Sequence, residues 1–167
     1  FSGQNNSVSH PTTTAYHTLI KGGSVIVTGL SNSIVADHAF IGGGELNEIQ
    51  DSAVVETYTA ILTGKENKIL GEPIHSVILG GHNNTLYGDH SLVFGRNVSS
   101  GLIGTETDGV FIFTDSTITD SNPFVNLASV QFLIYATNGV SIGFNDFNIM
   151  TDSIELDEFS PSLYYPP

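Results

Sequence analysis

The chain has no cysteine and very few basic residues. Its 167 residues include 4 Lys plus Arg against 17 Asp plus Glu, which gives a formal net charge of −13. The lack of cysteine excludes disulfides, thiolate nucleophiles and Cys-ligated zinc or iron–sulfur sites. The scarcity of basic residues argues against nucleic acid and anionic membranes as partners, because both attract proteins through Lys and Arg. The composition does not exclude neutral glycans or a divalent cation such as calcium as ligands.

Long apolar runs and common catalytic motifs are also missing. No run approaches about 18 apolar residues and there is no signal-peptide pattern, so we expect no membrane insertion. The serine-hydrolase elbow, the zinc-protease helix motif and the phosphate-binding loop are absent, so we expect no enzyme and assign no catalytic residues. What is abundant is Gly, with 18 residues, together with β-branched residues, Asn and Ser. This composition predicts an all-β fold.

A short pattern recurs through the first hundred residues: a strand that ends in a glycine, and an asparagine three residues after that glycine. The clear copies are Val25-Ile26-Val27-Thr28-Gly29 with Asn32, Phe40-Ile41-Gly42-Gly43-Gly44 with Asn47, Ala60-Ile61-Leu62-Thr63-Gly64 with Asn67, and Val77-Ile78-Leu79-Gly80-Gly81 with Asn84. A fifth copy, Leu92-Val93-Phe94-Gly95-Arg96, places Arg96 where the aligned glycine should be. Glycine permits the positive φ of a tight corner, and asparagine either adopts the left-handed region or caps the turn.

Two further positions of the pattern are apolar. The third residue before the glycine is Ile in the four clear copies, and the fifth residue after it is Ile or Leu. β-Branched residues suit a half-buried pleated surface, so we expect both positions to point inward. Near the N-terminus, Gly3, Asn6 and Val8 have the spacing of the second half of a unit, which predicts that further units precede Phe1.

Units of 15 to 20 residues are too small to bury their own apolar face, so they must stack on one another. We therefore predict a stacked short-coil β-roll or β-solenoid over residues 1–101. Apolar strands at Val110–Phe113, Val130–Tyr135 and Val140–Phe144 predict a small β cap over residues 102–150, which would cover the open end of the stack. Residues 151–167 are predicted to form an extended tail. The thin core predicts a homo-oligomer, and we favour a homotrimer.

Two segments resemble known proteins. The segment His75-Ser76-Val77-Ile78-Leu79-Gly80-Gly81-His82-Asn83-Asn84-Thr85 is the first, and Asp108–Ser116 followed by Gln131–Val140 is the second. The first resembles the β-roll heads of trimeric autotransporter adhesins and of phage and virus tail-fibre proteins, and the second resembles the β module that follows such coils. The resemblance implies a homotrimer on a virion surface or in an extracellular fibre. It also implies attachment to a host or cell surface by glycan or receptor binding.

In such fibres the binding residues lie on loops, which points to the insertions between repeats. The candidate glycan-binding residues are Tyr16 and His17 in the first insertion, and Glu56, Thr57 and Tyr58 in the 20-residue repeat. A tyrosine ring stacks on a sugar face while a carboxylate or an amide orients the sugar hydroxyls. The alternative for an exposed tyrosine is packing against a neighbouring coil.

Other interpretations stay open from the sequence. His75, His82 and His90 recur at intervals of 7 and 8 residues, and a threefold axis would bring such histidines together around a metal ion. Solvent-facing turn histidines are the simpler interpretation, so we predict no metal site and no cofactor. The many acids leave open a polysaccharide-degrading tailspike of lyase or glycosidase type. A structural shaft that binds nothing is the third alternative.

Overall fold

A computed structural model describes residues 4–9, 23–51, 58–71 and 73–137, and these residues form fifteen β-strands and no α-helix. The strands are β1 Ser7–Ser9, β2 Val25–Ile26, β3 Ser33–Val35, β4 Phe40–Ile41, β5 Glu48–Asp51, β6 Ala60–Ile61, β7 Lys68–Gly71, β8 Val77–His82, β9 Thr85–Leu86, β10 Leu92–Arg96, β11 Val98–Leu102, β12 Thr105–Glu106, β13 Phe111–Thr114, β14 Phe124–Asn126 and β15 Phe132–Tyr135. The all-β prediction is confirmed. Within these ranges there is no helix of the length and apolarity that a membrane crossing requires.

The strands form two parallel sheets, and successive strands alternate between them. Sheet A contains β2, β4, β6, β8, β10, β13 and β15 in spatial order, and sheet B contains β1, β3, β5, β7, β9 and β11. In sheet B, β14 also pairs with β11, and β12 is a short antiparallel partner of the same strand. Each repeat therefore gives one strand to each sheet and lies directly against the equivalent strands of the repeats before and after it.

The apolar core lies between the inward faces of the two sheets. The inward residues of sheet A are Ile26, Ile41, Ile61, Ile78, Val93 and Ile112, and those of sheet B are Ile34, Ile49, Ile69 and Leu86. All of them are buried and belong to one continuous cluster. The two inward positions predicted from the spacing are thus confirmed. Stacked isoleucines of equal size pack in register because equivalent positions pair directly, as Ile41 does with Ile61.

The asparagines form a buried ladder that runs along the stack. Asn47 donates from Nδ2 to the Oδ1 atom of Asn32 at 3.1 Å, to the carbonyl of Gly43 in its own turn and to the carbonyl of Gly64 in the next repeat. Its Oδ1 atom accepts from the backbone N–H and the side chain of Asn67, each at 3.1 Å. The capping role predicted for asparagine is therefore the one observed. The positive φ falls on the residue just before it, as at Leu46 (φ 57°).

The ladder includes Asn6, Asn32, Asn47, Asn67 and Asn84, and it stops at Val98, whose N–H donates to Asn84 Oδ1. The participation of Asn6 agrees with the half-unit predicted from Gly3, Asn6 and Val8, since Val8 also pairs with Ile34. Each asparagine satisfies backbone groups that the sharp corner would otherwise leave unpaired in the interior.

The alignment of the fifth repeat was wrong by one residue. Gly95, not Arg96, pairs with Gly81, while Arg96 pairs with His82. The register between β8 and β10 shifts after Val93, where a bulge in β8 adds one residue. A count of residues along the sequence cannot detect such a bulge. The predicted alignment of the fifth repeat was therefore displaced by one residue.

Both sheets continue beyond residue 101. Strand β13 pairs with β10, β15 pairs with β13, and β14 pairs with β11, all in parallel. Two strands predicted for the cap appear as β13 and β15, and the third, at Val140–Phe144, lies outside the described residues, as does the tail at 151–167. The division into a repeat region, a cap and a tail remains a prediction.

Asp115 ties the end of β13 to the end of β15. Its carboxylate accepts hydrogen bonds from the side chain and the N–H of Thr117 and from the N–H of Thr137. These bonds favour the charged form, led by the Thr117 hydroxyl, and hold the pKa of Asp115 far below its ordinary value.

A depressed pKa predicts a loss of stability in acid. The contribution of Asp115 is complete above its unfolded pKa of about 3.9 and is lost as the pH falls toward the lower folded value. We expect the carboxyl ¹³C resonance of Asp115 to titrate well below that of a free aspartate, and in Thr117→Val we expect it to move back toward the ordinary range. A wild-type midpoint near 3.9 would contradict the described hydrogen bonds.

Candidate functional site

Most of the residues predicted to bind glycan lie outside the described residues. This holds for Tyr16, His17, Glu56 and Thr57. Tyr58 is described, and it lies at the corner that leads into sheet A, two residues before the first residue of β6. The surroundings of Tyr58 therefore provide the starting point for a site built from the structure.

Equivalent corners form a column of residues along one edge of sheet A. The corner column consists of Gly23, His38, Tyr58, His75, His90, Gly109 and Val130, each two residues before paired positions of sheet A and each with φ between 48° and 69°. This left-handed conformation is uncommon for tyrosine and valine. The column is a structural consequence of the repeat, since the chain turns in the same way each time it enters sheet A.

Neighbouring rings of the corner column lie against one another, and the pair His75 and His90 is tilted while the other two pairs are stacked. The ring centroids of His38 and Tyr58 are 4.8 Å apart, those of Tyr58 and His75 are 5.5 Å apart, and those of His75 and His90 are 5.4 Å apart. Both faces of the Tyr58 ring are thus covered by histidines, although 46% of the residue is exposed. A sugar that approaches Tyr58 meets the edge of the ring and not its face. Glycan binding by Tyr58 remains a prediction.

The three histidines singled out by their spacing do not come together. His75 and His90 are neighbours in the corner column, whereas His82 lies at a different corner and contacts Glu66 through Nε2 at 3.1 Å. Among the described residues there is no cluster of three or more His, Asp or Glu suited to a metal ion. His38, which sequence reasoning did not select, belongs to the column. Its position two residues before a strand was the available signal.

Sheet A has an apolar outer face. The outward residues of its strands, with Val27 directly after β2 and Leu62 directly after β6, form a set that we call the apolar face. Its members are Val25, Val27, Phe40, Ala60, Leu62, Val77, Leu79, Leu92, Phe94, Phe111, Phe113, Phe132 and Ile134. Leu62 is 43% exposed and Phe94 is 41% exposed, so within the part of the chain that the structure describes no other segment covers these side chains. The rings of Phe94 and Phe113 lie 5.6 Å apart and those of Phe111 and Phe132 4.7 Å apart. A contiguous apolar strip of this kind marks an interaction surface.

The outer face of sheet B is mixed by contrast. Its outward positions include Ser33, Glu48, Lys68, Thr85 and Ser99 together with the apolar Val35, Leu70 and Val125. Lys68 Nζ lies 3.7 Å from a carboxylate oxygen of Glu48 on the neighbouring strand. The two sheets therefore differ in what they present to solvent, and among the described strands only sheet A has an apolar outward residue in every strand.

The described basic side chains are paired with acids. Lys65 Nζ lies 3.5 Å from Glu45, and an Arg96 nitrogen lies 3.7 Å from Asp120. Exposed pairs of this kind contribute little to stability, but they neutralise the few positive charges. Since the chain carries a net charge of −13, its remaining surface is acidic and disfavours anionic ligands.

The corner column has a gap at Gly109. Because Gly109 has no side chain, the space between His90 and Val130 is open, and we call it the ring gap. It belongs to a cleft of about 440 Å³ lined by His90, Leu92, Gly109, Val110, Phe111, Val130, Gln131 and Phe132. Sequence reasoning did not find this cleft, because it lies beside a glycine, which has no side chain to single out.

These surfaces are the features from which a function can be inferred. The structure confirms strands, sheets and inward residues, and the likeness to trimeric adhesin heads and tail-fibre proteins continues to rest on the quoted segments of sequence. No protein-family model, no curated protein and no solved structure matches the chain.

Proposed function

We propose that the chain is a stacked β-solenoid segment of a viral or extracellular fibre, that it assembles as a homotrimer, and that the assembly attaches to a host or cell surface by binding a glycan or receptor. The observation that carries this proposal is the apolar face of sheet A. The alternation of strands between two parallel sheets supports the solenoid, since each repeat returns to the same register one strand spacing along the stack.

The apolar face favours other copies of this chain as its partner. Contact between two copies elsewhere on the surface would bring acidic regions together, because each chain carries −13 charges. Across the apolar face there is no charge to repel, and each buried Å² contributes roughly 25 cal/mol. The face also follows the repeat, so copies aligned along the stack bring equivalent Leu and Phe rows together. The number three comes from the resemblance to trimeric fibres.

The proposed attachment role depends on the surfaces that stay exposed in such an assembly. The corner column and the outer face of sheet B lie outside the apolar face, so they stay accessible when the apolar faces meet, and a trimer presents each of them three times. Three weak sites on one rigid body bind a cell surface far more tightly than one site does. This supports binding to surface glycans, which offer many copies of a weak ligand.

The variant Leu62→Asp should dissociate the assembly. It places a carboxylate in the middle of the apolar face, where association would bury the charge without a partner. The matched control is Leu70→Asp on the outward side of sheet B, which adds the same charge. We expect light scattering to give a mass of 17.8 kDa for Leu62→Asp and the wild-type mass for Leu70→Asp. A folded Leu62→Asp with the wild-type mass would exclude the apolar face as the interface.

The attachment role is tested by the binding of the labelled wild-type protein to host cells and to immobilised polysaccharide. We expect saturable binding that leaves the polysaccharide intact and that weakens strongly in Leu62→Asp, because the monomer loses multivalency. New unsaturated or reducing ends would favour the polysaccharide-degrading alternative. No binding to cells or polysaccharide would favour a structural shaft.

A further inference from the structure

Two histidines of the corner column, His75 and His90, lie side by side at the edge of the stack. They occupy the same place in consecutive repeats, since each comes two residues before one member of the paired residues Val77 and Leu92. Their ring centroids are 5.4 Å apart, and the ring planes are inclined by 41°. Both residues are exposed. One chain therefore presents two neighbouring imidazoles to solvent at this edge.

The backbone fixes the spacing of the two corners. The N–H of His90 donates to the carbonyl of Ile74 at 2.8 Å, and the N–H of Ile74 donates to Oδ1 of Asp89 at 2.7 Å. His75 and His90 have φ values of 55° and 52°, so both side chains start from the same backbone geometry. Two ligands whose backbone is already in place lose little freedom when they close on an ion.

The ring nitrogens of this pair are available to a ligand. Within the described residues the rings of His75 and His90 make no hydrogen bond, and their interactions are with neighbouring rings of the column. His82 differs, because its Nε2 atom lies 3.1 Å from Glu66. A neutral imidazole with a free nitrogen lone pair is a common ligand of zinc, nickel and copper ions.

The separation of the two rings suits a single metal ion. With Zn–N bonds of about 2.0–2.1 Å and a tetrahedral angle, the centres of two imidazoles on one zinc ion lie roughly 5 Å apart. The observed 5.4 Å is close to this value, so rotation of the side chains can direct one nitrogen of each ring at the same ion. No third His, Asp or Glu completes the set among the described residues, so water or a group of another molecule fills the remaining positions.

The charge around the pair favours a cation. Asp89 directly precedes His90, and the N–H of Asp89 donates to Oδ1 of Asp108 at 2.9 Å, so two carboxylates lie at this corner. The chain as a whole carries a net charge of −13. A negative field of this kind raises the local concentration of divalent cations.

We propose that His75 and His90 together bind one Zn²⁺ ion at the corners of two consecutive repeats. The ion links the two repeats and keeps positions open for a further ligand. This inference goes beyond the attachment role and does not depend on it. The sequence alone favours turn histidines without a metal, because the approach of His75 to His90 depends on the register of the repeats.

Zinc chloride added to the whole chain without a histidine tag tests the proposal, and the readout is the ring ¹H–¹³C resonances of the histidines. We expect the resonances of His75 and His90 to shift together and to saturate with one ion per pair. Calcium chloride at the same concentration should leave them in place, because calcium prefers oxygen ligands.

The variant His75→Asn removes one ligand, and asparagine is among the residues that adopt a positive φ most readily. The matched control is His82→Asn, which removes a histidine outside the pair. We expect His75→Asn to weaken the binding of zinc at His90 by at least about tenfold, since even the loss of a group that only supports a metal ligand costs that much. We expect His82→Asn to bind as the wild type does.

Zinc that shifts neither ring of the pair, or only one of them, would overturn the site. Wild-type affinity at His90 in His75→Asn would do the same, as would loss of the shifts in His82→Asn. If His75→Asn does not fold, His90→Asn removes the other ligand at a φ of 52°, and wild-type affinity at His75 in that variant would contradict the proposal. Cell binding is measured separately, so failure of the zinc site leaves the attachment role in place.

Discussion

Replacing Asn67 with alanine is expected to lower the free energy of unfolding by on the order of 3 kcal/mol, because the change opens the buried amide ladder in its middle. Asn67 Oδ1 accepts from the N–H and the side chain of Asn84, and Asn67 Nδ2 donates to Asn47 Oδ1 and to the Gly81 carbonyl. Removal of the amide leaves the Asn84 N–H without its acceptor in the interior.

The substitution of Asn67 should also weaken the repeats on either side of it. Asn47 and Gly81 keep other hydrogen-bond partners, but each loses one bond to Asn67. The control is Asn122→Ala, since Asn122 is exposed, and we expect a change within about 0.5 kcal/mol there. Urea unfolding followed by far-UV circular dichroism at one chain concentration provides the comparison. Equal stabilities of the two variants would mean that the ladder is not a stabilising element.

The variant Gly44→Ala should be still more damaging, with a loss of more than about 4 kcal/mol or no folding at all. Gly44 has a φ of 100°, where a side chain is strained. An added Cβ would also overlap the carbonyl oxygen of Gly64 in the next repeat and lie 2.8 Å from Asn47 Nδ2. The repeats can accept it only by moving apart, which breaks the corner hydrogen bonds.

Gly71→Ala separates the two causes of that loss. Gly71 has a similar φ of 90°, yet an added Cβ would have nothing within 4 Å. Its loss should therefore reflect backbone strain alone, roughly 1–2 kcal/mol. Thermal unfolding of both variants at equal concentration measures the difference. Similar midpoints would show that the repeats do not approach each other as closely at Gly44 as the structure has them.

The positions that face the core could be predicted because they follow directly from spacing. Ile26 and Ile34 recur at fixed distances from Gly29, and residues at a fixed place in a repeat occupy a fixed place in a stack. The same logic failed at Arg96, because a bulge in β8 changes the spacing without leaving a signal in the residue types.

The apolar face had a signal that was not used. Segments such as Ala60-Ile61-Leu62 and Leu92-Val93-Phe94 are apolar at every position, whereas a strand with one wet face alternates. Strands that are apolar at every position are typical of sheets that are buried on both faces. The prediction of oligomers rested instead on the thin core, which gave no interface residues.

The surroundings of the candidate site were harder to predict. Tyr58 was selected for its insertion, but its partners His38 and His75 are 20 and 17 residues away in sequence, and their stacking depends on the register of three repeats. The ring gap depends on a residue with no side chain. Only the alignment of Gly109 with four ring-bearing corners reveals it.

The attachment role depends on the proposal that the apolar face of sheet A joins copies of this chain into a trimer. Its most direct test is the molar mass of the wild-type protein in solution, measured by light scattering coupled to size exclusion over a range of concentrations. We expect a molar mass of three times 17.8 kDa, unchanged on dilution. A stable species of 17.8 kDa with the same β-sheet signal would contradict it.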